Sequence, residues 1–230
     1  MNKKNIIVLI PARGGSKGIP NKNIVNFIDK PLLIHSIDYA KESKLISKIY
    51  VSTDSIEIAE IASNNNVDVI DRPKSISGDN DTTESAIFHF LDILNDKPDV
   101  IVLLQPTSPL RPEKSLDKAL EKFIEKEYDS LLSISPTHRF FWSIENDKTI
   151  PHYNFLKRPR RQDMKSLDIK FIENGSLYIF TYQSFMKNKN RLGGKIGHII
   201  FKEEYSHEID SSQDLIFLES LSKFIKSDDD

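Results

Sequence analysis

Arg13, Lys17 and Lys22 share one short stretch, Pro11-Ala12-Arg13-Gly14-Gly15-Ser16-Lys17-Gly18-Ile19-Pro20-Asn21-Lys22-Asn23, directly after the apolar run Ile6 to Ile10. Cations interleaved with glycines at a strand end suit the binding of a polyphosphate. Three of the chain's eight glycines fall here. Glycine admits positive φ, which turns backbone N–H groups toward an anion while the side-chain charges neutralise it. The spacing fits neither G-x-x-x-x-G-K-[ST] nor G-x-G-x-x-G, so it points away from ATPases and dehydrogenases.

Ligands in open α/β sheets bind beyond the carboxyl ends of the strands, so the other strand ends carry further candidates. After Ile101 to Leu104 comes Gln105-Pro106-Thr107-Ser108-Pro109-Leu110-Arg111, where two prolines fix the backbone and delay any helix. Gln105 there is either a ligand-facing amide or part of a rigid turn. Asp54, after Thr53, reads first as a helix N-cap and second as a cleft residue. Arg72, in Asp71-Arg72-Pro73, reads as a base or phosphate contact or as a surface arginine. Glu208 and Asp210 fall on one side of an extended segment by the period-two rule. That pair suits a hard divalent cation, which takes one or two carboxylates and leaves its other positions to water and phosphate; alternatively Asp210 or Ser211 caps the last helix. Arg158, Arg160 and Arg161, with Asn174-Gly175 beyond them, form either a fork for a substrate carboxylate or a solvated basic patch. The histidines show no metal-ligand spacing.

The elements that must position these residues follow from periodicity. Ile6 to Ile10, Ile49 to Thr53, Val67 to Ile70, Ile101 to Leu104 and Ser130 to Ile134 read as strands, and their near-continuous apolarity suits burial on both faces. Helical spacing appears in Leu33, Ile37 and Ala40, in Ile87, Leu91 and Leu94, and in Leu116, Leu120, Phe123 and Ile124. Pro112 with Glu113 suits a first helical turn, and Asp81 with Glu84 a capping box. Between Pro136 and Lys170 the pattern breaks, and a segment of that length without regular structure suggests a functional arm that packs on another subunit. Strand character returns at Leu177 to Phe180 and Ile196 to Phe201. A last helix spans about Ser212 to Ile225, and Asp228-Asp229-Asp230 reads as a solvated tail. The alternation predicts a mostly parallel sheet flanked by helices, in a single domain over residues 1–230 with residues 136–170 as the inserted arm.

Composition sets the outer limits. The net charge of −2 argues against general nucleic-acid binding, because affinity that rests on phosphate neutralisation needs a basic protein. With no cysteine in the sequence, thiolate catalysis, disulfides and Cys-ligated zinc are excluded. No signal-peptide h-region or membrane span is legible, and a cytoplasmic location is expected.

Several of these motifs together resemble the acylneuraminate cytidylyltransferases. They are the Pro11 to Asn23 loop, Val51-Ser52-Thr53-Asp54, Leu103-Leu104-Gln105-Pro106-Thr107-Ser108-Pro109-Leu110-Arg111, Arg161-Gln162-Asp163, Glu173-Asn174-Gly175 with Tyr178, and Glu208-Ile209-Asp210. The match runs in order over nearly the whole chain. It implies a Rossmann-like nucleotidyltransferase fold of the nucleotide-diphospho-sugar transferase type, with a dimerisation arm. The implied reaction is transfer of CMP from CTP to the C2 hydroxyl of a nine-carbon nonulosonic acid, with release of pyrophosphate and dependence on Mg²⁺. The product would feed cell-surface polysaccharide.

By position, the resemblance puts the CTP phosphates on Arg13, Gly14, Gly15, Ser16 and Lys17, with phosphate and ribose contacts from Lys22 and Asn23 and with Arg72 and Thr83 near the cytidine. Gln105, Arg161 and Asn174 would hold the sugar, and Asp210 and Glu208 the Mg²⁺. Arg13, Lys17 and Asp210 carry the catalytic assignment. The arm implies a homodimer in which Arg161 reaches the neighbouring active site. This chain has Glu208 where the family commonly has aspartate, Thr137-His138-Arg139-Phe140-Phe141-Trp142 where the family has a His-Pro element, and Ser176 where alanine is common. Lys17-Gly18-Ile19 looks more like the N-acetylneuraminate and legionaminate enzymes than the pseudaminate ones. The alternatives are a CMP-pseudaminate synthetase, another sugar nucleotidyltransferase, or a non-catalytic nucleotide-binding module.

Overall fold

A computed structural model of the chain describes residues 4–164 and 169–228. Its centre is a seven-stranded sheet. In chain order the strands are β1 (Ile6–Pro11), β4 (Lys48–Thr53), β5 (Asp68–Asp71), β6 (Val100–Leu104), β7 (Ser130–Thr137), β10 (Lys170–Thr181) and β11 (Ile196–Ile200); the short hairpins β2/β3 (Asn26–Phe27, Lys30–Pro31) and β8/β9 (Trp142–Glu145, Lys148–Pro151) stand apart from it. The spatial order is β11-β7-β10-β6-β1-β4-β5. All neighbours are parallel except β10, which runs antiparallel to both β6 and β7.

The apolar runs explain the layering. Every residue of β6 is buried, as are five of the six in β1, because these central strands are covered on both faces. Ile6, Val8 and Ile10 point to one face, where α1 (Leu32–Lys41), α2 (Ile56–Asn64) and α4 (Ser115–Glu125) supply Leu33, Ile37, Ile58, Leu116 and Phe123. Ile7 and Leu9 point to the other, against Ile87 and Phe90 of α3 (Thr83–Ile93) and Phe185 of α5 (Tyr182–Asn188). A third cluster of Ile19, Phe27, Leu32, Ile209 and Leu218 ties the loop after β1 to the segment before α6 (Ser212–Asp228). That cluster brings the two ends of the chain together at one site.

Some local expectations change. Helix α2 stands between β4 and β5, where no helical spacing is assigned from the sequence, and of its residues only Ile58 and Ala62 are buried. The N-cap of α3 is Thr82, whose side chain accepts the Ser85 N–H, while Asp81 closes a turn with the Gly78 N–H and Glu84 pairs with Arg191. Helix α4 begins only at Ser115, after Lys114 in the left-handed region. The segment expected to be irregular from Pro136 holds the end of β7, the β8/β9 hairpin and the start of β10; within it, residues 165–168 lie outside the described residues. Of the acidic tail, Asp228 ends α6 and Asp229 and Asp230 lie outside them. Among the described residues no helix is long and apolar enough to cross a membrane.

Candidate active site

The carboxyl ends of β1, β5 and β6 open into a cleft of about 390 Å³. Arg13, Ser16, Lys17, Lys22, Asn23, Arg72, Thr83, Gln105 and Asp210 all line it. These residues are scattered through the sequence and meet because their strands end in register.

The loop after β1 is shaped by side-chain clamps and close approach. Asp54 accepts the Gly14 N–H at 2.9 Å, so it holds the loop; the cap of α2 is Ser55. Asn23, itself buried, donates from Nδ2 to the Arg13 carbonyl at 2.9 Å. The expectation of positive φ in the loop glycines is not met, since only Gly175 and Gly194 adopt it among glycines. Gly14 and Gly18 instead permit contact: a Cβ would meet Ser55 at the first and collide with the Asp210 carbonyl oxygen at the second. The left-handed turn in the loop falls on Asn21, a residue type that tolerates it.

Charges face one another across the cleft. Lys22 Nζ lies 2.9 Å from Asp210 Oδ1. Arg13 Nη2 and Lys17 Nζ share Asp79, at 2.8 and 2.7 Å, and they hold its carboxyl below the ordinary range. Nothing in the spacing of Ser77-Gly78-Asp79-Asn80-Asp81 marks Asp79 beforehand. Arg72 is 6 % exposed, which overturns the surface reading, and its Nε and Nη2 have no hydrogen-bond partner among the described residues. Burial lowers its pKa, opposed by the charge of Asp54.

Behind Gln105, a second buried arginine acts as a brace. Arg111 donates from Nε and Nη2 to the Ser176 carbonyl (3.3 and 3.1 Å), from Nη2 to the Gln105 carbonyl (2.8 Å) and from Nη1 to Ser36 Oγ (3.1 Å). Burial pulls its pKa down to about 10.

Glu208 and Asp210 diverge around the buried anchor Ile209, whose N–H donates to the Thr107 carbonyl at 2.8 Å. Asp210 faces the cleft, with its side chain 70 % exposed. Helix α6 is capped by a reciprocal Ser211/Asp214 pair, so neither acidic candidate is used there. Glu208 packs over Gly175, where any side chain would collide with its carboxylate; burial and then the neighbouring Asp210 raise its pKa. Among the described residues no three His, Asp or Glu are grouped for a metal. A carboxylate on the cleft beside a second, charge-strained one fits a divalent cation that shares its coordination with phosphate oxygens.

Five candidates do not line the cleft: Gly14 and Gly15, which sit within the loop between lining residues, and Asn174, Glu208 and Arg161. Asn174 is 1 % exposed, and its amide is taken up by Ser133, by Ser135 Oγ (3.0 Å) and by the Ser176 N–H (3.3 Å), which organises the register shift of β10 between Glu173 and Tyr178. Glu208 stands behind the same shift. Arg161 lies exposed in the segment between β9 and β10; there Arg158 stacks on Phe140 at 4.5 Å and Arg160 pairs with Asp163, so no arginine fork is assembled among the described residues.

The cytidylyltransferase family model matches residues 7–220. The N-acylneuraminate cytidylyltransferase of Streptococcus agalactiae serotype III is 32% identical over 216 residues, which cover 91% of this chain and 51% of that protein. N-acylneuraminate cytidylyltransferase A of Danio rerio is 37% identical over 213 residues, covering 90% and 48%. The chain thus spans about half the length of these relatives. In fold it is similar to the CMP:2-keto-3-deoxy-manno-octonic acid synthetase solved with CTP, with a TM-score of 0.68, 12% identity and coverage of 95% and 98%. It is equally similar to 4-diphosphocytidyl-2C-methyl-D-erythritol synthase of Anaerococcus prevotii, with a TM-score of 0.68, 14% identity and coverage of 96% and 100%. The family-model match over residues 7–220, with relatives 32% and 37% identical over about nine-tenths of the chain, shows that this chain belongs to the cytidylyltransferase family, with the N-acylneuraminate cytidylyltransferases among its relatives.

Proposed function

We propose that this protein transfers CMP from CTP to the C2 hydroxyl of a nonulosonic acid of the N-acetylneuraminate or legionaminate type and releases pyrophosphate. The observation that carries this reading is the facing of Arg13, Lys17, Lys22 and Arg72 with Gln105 and Asp210 across one cleft. Arg13, Ser16, Lys17 and Lys22 bind the phosphates and neutralise the charge that grows on the departing pyrophosphate. Arg72 and Thr83 take the cytidine end. Gln105, held from behind by Arg111, orients the sugar hydroxyl toward the α-phosphate, an entropic gain that alone is worth several powers of ten in rate. Asn174 and Gly175 keep the floor of the sugar side in shape.

Asp210, seconded by Glu208, would hold Mg²⁺, which when bound withdraws charge from phosphate oxygens and acidifies a bound hydroxyl. The arm, with Trp142 48% and Ile144 78% exposed, is read as packing on a second copy, so that Arg161 serves the neighbouring cleft in a cytoplasmic homodimer. Residues 1–230 are read as one domain with 136–170 as that arm. Incubation with CTP, Mg²⁺ and each candidate sugar, following pyrophosphate, tests the reaction; no release with any nonulosonic acid refutes it. A solution mass of about twice 26.4 kDa is expected, and a fully active monomer would refute action of Arg161 in trans.

A further inference from the structure

Asp79 stands on the segment between β5 and α3, and its two carboxylate oxygens each engage a different cation of the basic loop, Arg13 at 2.8 Å and Lys17 at 2.7 Å. Carboxylate and phosphate oxygens take the same place against guanidinium and ammonium donors, so both cannot hold these two groups at once. The turn that carries Asp79 is fastened independently. The Gly78 N–H donates to Asp81 Oδ2 at 2.6 Å, and Ser77 Oγ to the Pro73 carbonyl at 3.0 Å. The turn therefore persists when Asp79 lets go. Lys17 is 84% exposed and the Asp79 side chain 34%, and ion pairs so accessible to water exchange at small cost. Lys22 has its own partner in Asp210, so without Asp79 the loop would present Arg13 and Lys17 as adjacent unpaired charges beside Arg72.

We propose that Asp79 is a built-in counter-anion of the phosphate cradle. It keeps Arg13 and Lys17 together between turnovers, yields them to an incoming phosphate chain, and competes for them again as the chain leaves. The displacement requires only that phosphate binds the loop; the part played in product release rests on the cytidylyl-transfer reading. Asp79 thereby sets how tightly polyphosphate is held, trading affinity for release.

The test titrates inorganic pyrophosphate into the wild-type protein and Asp79→Asn by calorimetry, at low ionic strength with EDTA present. Asp79→Asn keeps the side-chain shape and is expected to bind pyrophosphate roughly 3- to 10-fold more tightly, the scale of two exposed ion pairs released, with the gain shrinking as salt is added. Asp81→Asn removes one charge from the same turn, engages neither Arg13 nor Lys17 and keeps an amide oxygen to accept the Gly78 N–H, and is expected to gain less than half as much. Unchanged or weaker binding by Asp79→Asn, equal tightening by Asp81→Asn, or no binding by any of the three proteins overturns the proposal. No nucleotide or sugar enters the measurement, so it stands apart from failure of CMP transfer.

Discussion

Two buried arginines, Arg72 in the cleft lining and Arg111 behind the Gln105 turn, differ in what their donors do. Arg111, behind the Gln105 turn, spends its N–H groups on two carbonyls and a serine hydroxyl and lies over the Tyr39 ring at 5.2 Å. Arg72, at the end of β5, is as deeply placed yet leaves Nε and Nη2 without protein partners among the described residues. Burial penalises both charges. Arg111 recovers that cost inside the fold, whereas Nε and Nη2 of Arg72, a residue in the cleft lining, are buried and have no hydrogen-bond partner among the described residues, so its cost is not recovered there. Burial alone therefore does not distinguish the two arginines, whereas the state of their donors does.

Arg111→Met should produce the largest effect, because the Ser176 and Gln105 carbonyls lose a charged donor while still buried. A loss of about 2–4 kcal/mol in denaturant unfolding is expected. Stability equal to wild type would break the comparison. Asp210→Ala removes an exposed cleft charge and should leave the unfolding midpoint in place while turnover falls about 100-fold, the usual worth of one charge-stabilising group at a reacting centre; near-normal turnover at limiting Mg²⁺ would remove Asp210 from the metal role.

Arg72→Met sharpens the contrast directly. It deletes a buried charge whose Nε and Nη2 have no hydrogen-bond partner among the described residues, so stability should hold or rise, while CTP affinity measured by calorimetry drops tenfold or more, the scale of a charged hydrogen bond. Glu208→Gln gives the smallest change and extends the same rule to a carboxylate. The pKa of Glu208 is raised in the fold, so the stabilisation it contributes is complete below its unfolded value and is lost as pH rises through the folded one. The Gln variant should therefore be the more stable near pH 7, by about 1 kcal/mol or less and roughly 2–4 °C at most, with the difference closing toward pH 4. A difference that does not change with pH would show that the burial of Glu208 does not act through its charge.

Much of the frame was legible beforehand. The buried central strands β1 and β6 announce themselves as unbroken apolar runs, and α4 as a repeating face of Leu116, Leu120 and Phe123. The basic loop and the Gln105 turn were legible for the same reason, being contiguous stretches attached to a strand end. Asp81 and Thr82 are both capping residue types, and only the backbone decides that Thr82 caps α3. Asp54 likewise has the residue type and position of a cap, and its actual partner, Gly14, is 40 residues away where no local pattern reaches.

The sequence by itself determined the alternating α/β frame, the position of the basic loop and the cations it carries, because periodicity and turn chemistry act over a few residues. Only the tertiary structure decided which of those charges meet. Lys22 and Asp210 are 188 residues apart and are joined because Ile19 and Ile209 bury themselves in one cluster with Phe27 and Leu218. Asn174 turned inward because the serines of β7 lie beneath it, and Asp79 reached Arg13 and Lys17 because the ends of β1 and β5 lie near one another on either side of β4. Such meetings depend on long-range packing, which leaves no local signal to read.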